Sequence, residues 1–200
     1  MEIKEVDNSG NIICDDALVD KSSCVLSSKI HNNAEIKNAS VVTNSEIGNK
    51  TIVNASFVED SFVGENCKIG PYAHIRPNSK ILNNVKIGNF VEIKNSVVGS
   101  NTKISHMSYV GDAIIGEGCN IGCGVIFCNY DGKNKNQIKV GNNCFIGSNC
   151  NLIAPLNIAD NTYICAGTTV VENTNEFDFV IGRAYATVKP NRATKYLKKE

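Results

Sequence analysis

The sequence predicts an all-β fold in which short parallel strands coil around one axis and form a triangular prism. Three observations predict it. An aliphatic residue recurs every six residues, and at some steps every five, from Ile13 to Val170. Glycine often follows that residue, as at Gly64 and Gly88, and the fifth residue of the hexad is small. The period matches neither the helical repeat of about 3.6 residues nor a simple alternation, so it indicates flat strands joined by tight corners.

The predicted elements follow from where the period starts, lapses and stops. Residues 1–12 precede the first hexad and are predicted to cap the prism, which spans residues 13–170. Three hexads complete one coil, which gives about nine coils stacked at ~4.8 Å, and glycine is expected where the backbone turns. The period lapses over the polar segment CNYDGKNKNQIK, so residues 128–139 should leave the prism as a loop. Residues 171–200 are predicted to form an extended return segment and a short helical or frayed basic tail.

The composition limits the classes of partner. The chain has 200 residues, 42% of them hydrophobic, and can bury the core of one domain. Its 20 basic and 20 acidic residues balance, which gives no general field for nucleic acid or a membrane surface, so an anion must be bound locally. The acidic start MEIKEVDNSG lacks the positive flank of a secretory signal. We therefore expect a cytoplasmic protein.

The nine cysteines fit a reducing compartment. Their number is odd and they lack CxxC spacing, which argues against a disulfide framework and against a zinc ribbon. Four of them take the small fifth position of a hexad and are predicted to fill the core: Cys67, Cys119, Cys144 and Cys150.

The hexad register predicts a column of residues on one corner of the prism. The third positions of four hexads hold His106, Cys123, Ser148 and Ala166. If the loop replaces only part of one coil, these residues stack at ~4.8 Å, with His106 and Ser148 roughly 10 Å apart. Taken alone, a histidine on the wall of a β-prism is more often a hydrogen-bonded surface residue than a catalytic one.

The same register stacks two cations. Arg76 and Lys94 take the second position of hexads one coil apart. Two adjacent like charges are more favourable when an anion sits between them, and a guanidinium beside an ammonium suits a phosphate. Taken alone, both could be solvated surface charges. Tyr109 and Asn120 take the last hexad position and are predicted to lie at a corner near the His106 column.

The histidines do not form a predicted metal site. His31, His74 and His106 take different hexad positions in distant coils. Metal ligands must converge within about 2 Å of one ion, so no metal is expected.

Several segments are much more specific than a generic repeat: RPN, GNFVEIK, YVGDA, NIG and CNYDGKNK. Through them the chain resembles the acetyltransferase domain of the bifunctional N-acetylglucosamine-1-phosphate uridyltransferase/glucosamine-1-phosphate acetyltransferase family. The match is dense from Gly70 to Pro190 and looser upstream. The resemblance implies the left-handed parallel β-helix of the hexapeptide-repeat acyltransferases. The handedness comes from the resemblance, because crossovers between parallel strands are normally right-handed.

The resemblance also implies roles for individual residues. His106 matches the general base, and Arg76 and Lys94 match a clamp on the sugar phosphate. The other acceptor-site matches are Tyr109, Asn120 and Lys135. Asn129 and Tyr130 match positions that orient the amine and lend a backbone N–H to the oxyanion. The acetyl-CoA groove is matched by Cys123, Ser148, Ala166 and Arg183.

The family is a homotrimer with sites between prisms, so the polar loop is expected to reach a neighbour. Acetyl-CoA and an amino-sugar phosphate are the expected ligands, and no metal is implied. Cys123 departs from the alanine that is usual in the family, which should matter little for a backbone contact. The chain begins within the prism and lacks the Gly-rich nucleotide signature, so uridyl transfer is not expected.

The expected function is N-acetylation of glucosamine 1-phosphate by acetyl-CoA. One alternative is acetylation of another acceptor, such as galactosamine 1-phosphate or a nucleotide-linked amino sugar. Another is a non-catalytic assembly module, against which the polar set from Arg76 to Arg183 argues.

Overall fold

The computed structural model describes residues 9–197 and confirms the predicted fold. The described strands form three parallel sheets of nine, ten and nine strands, wound as a left-handed parallel β-helix of about ten coils. The first eight residues of the predicted cap and the last three of the predicted tail lie outside the described residues. In the described part, no helix is long and apolar enough to cross a membrane.

Each coil contributes one strand to each sheet. Sheet I consists of β1 (Ile12–Ile13), β4 (Lys29–Ile30), β7 (Glu46–Ile47), β10 (Phe62–Val63), β13 (Lys80–Ile81), β16 (Val97–Val98), β19 (Ala113–Ile115), β22 (Ile138–Val140) and β25 (Leu156–Ile158). Sheet II consists of β2 (Leu18–Val19), β5 (Glu35–Lys37), β8 (Ile52–Asn54), β11 (Lys68–Ile69), β14 (Lys86–Asn89), β17 (Lys103–His106), β20 (Asn120–Ile121), β23 (Phe145–Ile146), β26 (Tyr163–Ile164) and β28 (Phe179–Val180). Sheet III consists of β3 (Cys24–Leu26), β6 (Val41–Thr43), β9 (Phe57–Glu59), β12 (His74–Ile75), β15 (Glu92–Lys94), β18 (Tyr109–Gly111), β21 (Ile126–Cys128), β24 (Asn151–Ile153) and β27 (Thr169–Val170).

The core is one column of aliphatic side chains along the axis. Neighbouring strands pair aliphatic residue over aliphatic residue, as in Ile69↔Ile87 and Ile87↔Ile104. Phe127 is the largest of the fully buried side chains. The four cysteines predicted to fill the core are buried, and all nine cysteines are free thiols. The hexad therefore sets the register of the whole prism.

The corners turn mainly on asparagine, which differs from the expectation for glycine. Asn66, Asn84 and Asn101 have φ of 54°, 59° and 62°, a left-handed conformation that asparagine tolerates better than most residues. Gly64 and Gly88 have no positive φ. A Cβ on Gly88 would lie 1.9 Å from the Ser105 carbonyl oxygen. Glycine at the second hexad position therefore allows the backbone of the next coil to pack closely against it.

The polar loop packs on its own prism. The residues between β21 and β22 are 129–137, and Ile138 is fully buried at the start of β22. The carboxylate of Asp131 accepts hydrogen bonds from the backbone N–H groups of Lys133 and Asn134, at 2.8 and 2.6 Å. The loop is thus ordered by hydrogen bonds of its own chain.

The coil continues past the predicted end of the repeat at Val170. β28 pairs in parallel with β26 and extends sheet II. Beyond it the chain is exposed and contains a 3₁₀ helix, Arg192–Lys195.

Candidate active site

His106 ends β17 and is exposed at the corner between sheets II and III. Its Nδ1 lies 2.8 Å from Oδ1 of Asn89, the residue paired with it on β14. An amide oxygen can only accept a hydrogen bond, so Nδ1 carries the proton and Nε2 keeps its lone pair. The imidazole is therefore set up to accept a proton at Nε2.

The predicted column is present at this corner. Its members His106, Cys123, Ser148 and Ala166 each follow by two residues an isoleucine of sheet II, and these isoleucines pair coil over coil. The backbone N–H of Asn149 donates to the Cys123 carbonyl at 2.8 Å. Such bonds hold successive coils ~4.8 Å apart, which places His106 and Ser148 roughly 10 Å apart.

A groove of about 490 Å³ follows the upper end of the column. Ser148, Ala166 and Arg183 line it, and Nη1 of Arg183 donates to the Ala166 carbonyl at 2.9 Å. A larger open groove of about 720 Å³ lies on sheet I among the first five coils. Its charged residues include the ion pair of Lys29 with Glu46, at 3.4 Å. We place the site at the column, because His106 and the groove-lining Ser148 and Ala166 share one corner of the prism.

Three cations, Arg76, Lys94 and Lys135, converge at the ends of the sheet III strands, one strand length from this corner. The ammonium of Lys135, followed by partial desolvation and by Arg76, lowers the pKa of Lys94. Nη1 of Arg76 donates to Glu92 at 2.6 Å, and this hydrogen bond raises the pKa of Arg76. The carboxylates of Glu92 and Asp112 offset part of this positive charge. The three cations can still supply hydrogen-bond donors to a phosphate.

Asn129, Tyr109 and Gly111 meet next to that cluster. Asn129 is buried, and its Nδ2 donates to Oδ2 of Asp112. Oδ1 of Asp112 accepts from Nδ2 of Asn95 at 2.6 Å. A Cβ on Gly111 would lie 2.5 Å from the Tyr109 hydroxyl oxygen and 2.8 Å from Nδ2 of Asn129. The missing side chain of Gly111 therefore lets both groups approach the strand.

We expect Gly111→Ala to lower turnover at least tenfold while changing the melting temperature little. The added methyl group meets the ends of two side chains, Tyr109 and Asn129, which can move away. Their movement would disturb the site more than the core. Steady-state kinetics and thermal unfolding of the same sample measure both effects. Unchanged turnover would show that the positions of Tyr109 and Asn129 do not matter.

The structure does not bring Asn120 to the column. Asn120 begins β20 and pairs with Lys103 and Phe145, roughly 10 Å from the column at the other end of the strand. The prediction that it shares a corner with Tyr109 is wrong, because the last hexad position begins a strand and therefore follows a different corner on each sheet. Tyr130 is 60% exposed, and its hydroxyl donates to the Gly132 carbonyl at 2.7 Å.

Asn89 and Asp112 belong to the site but were not among the residues predicted from the sequence. Asn89 takes the third hexad position one coil before His106, so extending the predicted column by one coil would have found it. Asp112 and Asn129 take the third hexad position of sheet III one coil apart, so the same extension applied to sheet III would have found Asp112.

The remaining histidines each bond a single carboxylate. His31 Nε2 lies 2.6 Å from Glu46, and His74 Nε2 lies 2.8 Å from Glu59. Within residues 9–197, no group of three or more histidine, cysteine, aspartate or glutamate side chains is placed to hold a metal ion.

Comparisons with known proteins agree with the predicted resemblance. Residues 57–130 match the family described as the GMPPB C-terminal domain. The chain is 46% identical over 130 residues, 65% of its length, to the bifunctional protein GlmU of Clostridium acetobutylicum. It is 47% identical over 158 residues, 79% of its length, to that of Clostridium beijerinckii. The chain spans only 28% and 35% of the lengths of these two relatives.

A solved structure also aligns with this chain. It is the UDP-N-acetylglucosamine acyltransferase LpxA of Bacteroides fragilis, and the alignment covers 80% of this chain and 68% of the LpxA chain, with 18% identity and a TM-score of 0.48.

Proposed function

We propose, from the similarity of this chain to part of the bifunctional GlmU proteins, that it is an acyltransferase that moves the acetyl group of acetyl-CoA to the amine of glucosamine 1-phosphate. The observation that carries this proposal is the pairing of His106 with Asn89, beside a cluster of three cations. A base next to a phosphate-binding cluster suits an acceptor that carries both an amine and a phosphate.

In the proposed reaction Nε2 of His106 takes a proton from the acceptor amine. The amine that attacks the thioester is the unprotonated form, and His106 removes one of its two hydrogens as a proton when the nitrogen–carbon bond forms, since imidazole titrates near neutral pH. The amine nitrogen forms a bond to the thioester carbonyl carbon, the carbon–sulfur bond breaks, and CoA leaves as its thiolate. The proton held by His106 can then pass to the departing sulfur. This direct transfer needs no covalent bond to the enzyme.

The loop supplies a candidate oxyanion donor. The backbone N–H of Asn129 already donates to the Phe127 carbonyl at 2.9 Å, whereas that of Tyr130 has no hydrogen-bond partner among the described residues. We assign to the Tyr130 N–H the stabilisation of the developing oxyanion, and to Asn129 the placement of the loop through Asp112.

Arg76→Ala or Lys94→Ala should raise KM for glucosamine 1-phosphate at least tenfold and change KM for unphosphorylated glucosamine little. Each change removes one of the cations proposed to bind the phosphate. Steady-state kinetics with both acceptors measure the difference. Lys50→Ala, on a corner several coils away, is the control. Equal losses with both acceptors would mean that neither residue binds phosphate.

We further propose that the active form is a homotrimer. The corner that carries His106 also presents large apolar side chains in successive coils. These are Tyr72, Phe90 and Met107, which are 62%, 60% and 59% exposed. The corner is convex, and a convex ridge cannot exclude water from a thioester unless a neighbouring chain packs beside it. An apolar ridge of this kind favours such packing, and cyclic closure satisfies every interface.

Light scattering should therefore give about three times 21.6 kDa. Phe90→Glu puts a charge on the ridge and should yield an inactive monomer whose circular dichroism is unchanged. A wild-type monomer with full activity would contradict the trimer proposal and leave the acetyltransferase proposal in place.

The function is tested by incubating the wild-type protein with acetyl-CoA and glucosamine 1-phosphate. Thiol release should accompany a product heavier by one acetyl group, with the acetyl on nitrogen by mass spectrometry of fragments. If neither this acceptor nor any other amino sugar is acetylated, the prism is a non-catalytic assembly module.

A further inference from the structure

Three aromatic rings form an exposed stack at the C-terminal end of sheet II. Phe145, Tyr163 and Phe179 begin β23, β26 and β28 and are paired in register. Their ring centroids are 4.6 and 5.3 Å apart, and the ring planes differ by 13° and 12°. The stack follows the prism axis, so the ring edges form a continuous wall roughly 10 Å long.

Exposure of this aromatic wall to water is unfavourable in free energy. Phe145, Tyr163 and Phe179 are 38%, 44% and 66% exposed, and large rings lose favourable burial when their edges stay solvated. The outer positions of sheet II before the stack hold Lys68, Lys86, Lys103 and Asn120. The change from lysines to stacked rings along one sheet face marks this end as a distinct surface.

The wall borders the groove at the upper end of the column. Tyr163 lines this groove together with Ser148, Ala166 and Arg183. The groove thus has an aromatic wall and a cation.

The guanidinium of Arg183 has N–H groups that can donate hydrogen bonds to a ligand. Arg183 has one hydrogen bond, from Nη1 to the Ala166 carbonyl, and no carboxylate pairs with it among the described residues. The other N–H groups of its guanidinium can donate to a phosphate in a forked arrangement. An aromatic wall beside an unpaired guanidinium matches a ligand that joins a planar base to a phosphate.

We infer that this stack binds the adenine of the acyl donor, with Tyr163 as the central contact and Arg183 on an adjoining phosphate. The inference rests on the proposed use of acetyl-CoA. The face of a base against ring edges is a favoured edge-to-face arrangement, and contacts between aromatic rings and bases contribute to affinity at nucleotide sites. The stack would then distinguish a complete CoA thioester from the same thioester without its nucleotide.

The test compares two donors on Tyr163→Ala. KM for acetyl-CoA should rise about tenfold or more, while KM for S-acetyl-pantetheine and kcat stay nearly unchanged. Tyr163→Phe keeps the ring and should behave like the wild type. Phe57→Ala is the matched control, since Phe57 is 49% exposed on sheet III and away from the groove. An equal rise for both donors, or an unchanged KM for acetyl-CoA, would overturn the inference.

Binding of adenosine 3′,5′-bisphosphate by calorimetry separates this inference from the proposed function. The wild type should bind this nucleotide, and Tyr163→Ala should bind it about tenfold more weakly, whether or not any amino sugar is acetylated. Light scattering of the same variant is the second readout. If Tyr163→Ala dissociates the assembly without a specific loss of nucleotide affinity, the stack is an interface between copies and the inference is wrong.

Discussion

Replacing His106 by alanine should slow acetyl transfer by about 10²- to 10⁴-fold, the range expected when a general base is removed. His106 is exposed and makes its side-chain hydrogen bond only to Asn89 among the described residues. The variant should therefore fold normally and keep its affinity for CoA. The measurements are kcat with acetyl-CoA and glucosamine 1-phosphate, calorimetric titration with CoA, and thermal unfolding.

A second histidine provides the control for this experiment. His74 lies on the next sheet and bonds Glu59 at 2.8 Å, but it is not part of the column. His74→Ala should keep nearly full activity. Normal turnover in His106→Ala, or equal losses in both variants, would remove His106 from the role of base.

Replacing Phe127 by alanine should lower the free energy of unfolding by about 3–5 kcal/mol, the usual cost of deleting a buried phenylalanine ring. Phe127 is fully buried and belongs to the strand that leads directly into Asn129. Its loss leaves a cavity in a core that is one side chain deep, so few neighbours can move in to fill it. Urea unfolding at fixed protein concentration measures the effect, because assembly adds a concentration-dependent term.

The control for that variant is Phe57→Ala, which removes the same ring from an exposed position on sheet III. It should cost well under 1 kcal/mol, as is usual for surface substitutions. Similar unfolding midpoints for the two variants would mean that the axial core contributes less than its burial suggests.

The hexad predicted the fold and the column because both depend on register alone. Once Ile104, Ile121 and Ile146 are assigned to the core, the residues two positions later must stack on one corner, whatever their identity. The same reasoning failed for Asn120, because it treated one hexad position as equivalent on different sheets. The sheet to which a hexad belongs decides which corner its last residue adjoins.

The contacts made by the loop could not be predicted from the pattern. Lys135 approaches Lys94 because the loop folds back towards sheet III. This contact joins residues far apart in sequence, and the loop that carries Lys135 has no period. The resemblance assigned Lys135 to the acceptor site, but the hexad register gives no position for a residue of the loop.

The central claim is that the His106 corner transfers acetyl groups to an amino-sugar phosphate, and competition among acceptors tests it most directly. The wild-type protein is mixed with acetyl-CoA and equal amounts of glucosamine 1-phosphate, galactosamine 1-phosphate, a nucleotide-linked glucosamine and free glucosamine. The acetylated products are separated by chromatography, because the two N-acetylhexosamine 1-phosphates have the same mass, and are then quantified by mass spectrometry. We predict that N-acetylglucosamine 1-phosphate dominates and that free glucosamine is acetylated least. Preference for free glucosamine, or thiol release that Arg76→Ala and His106→Ala leave unchanged, would contradict the claim.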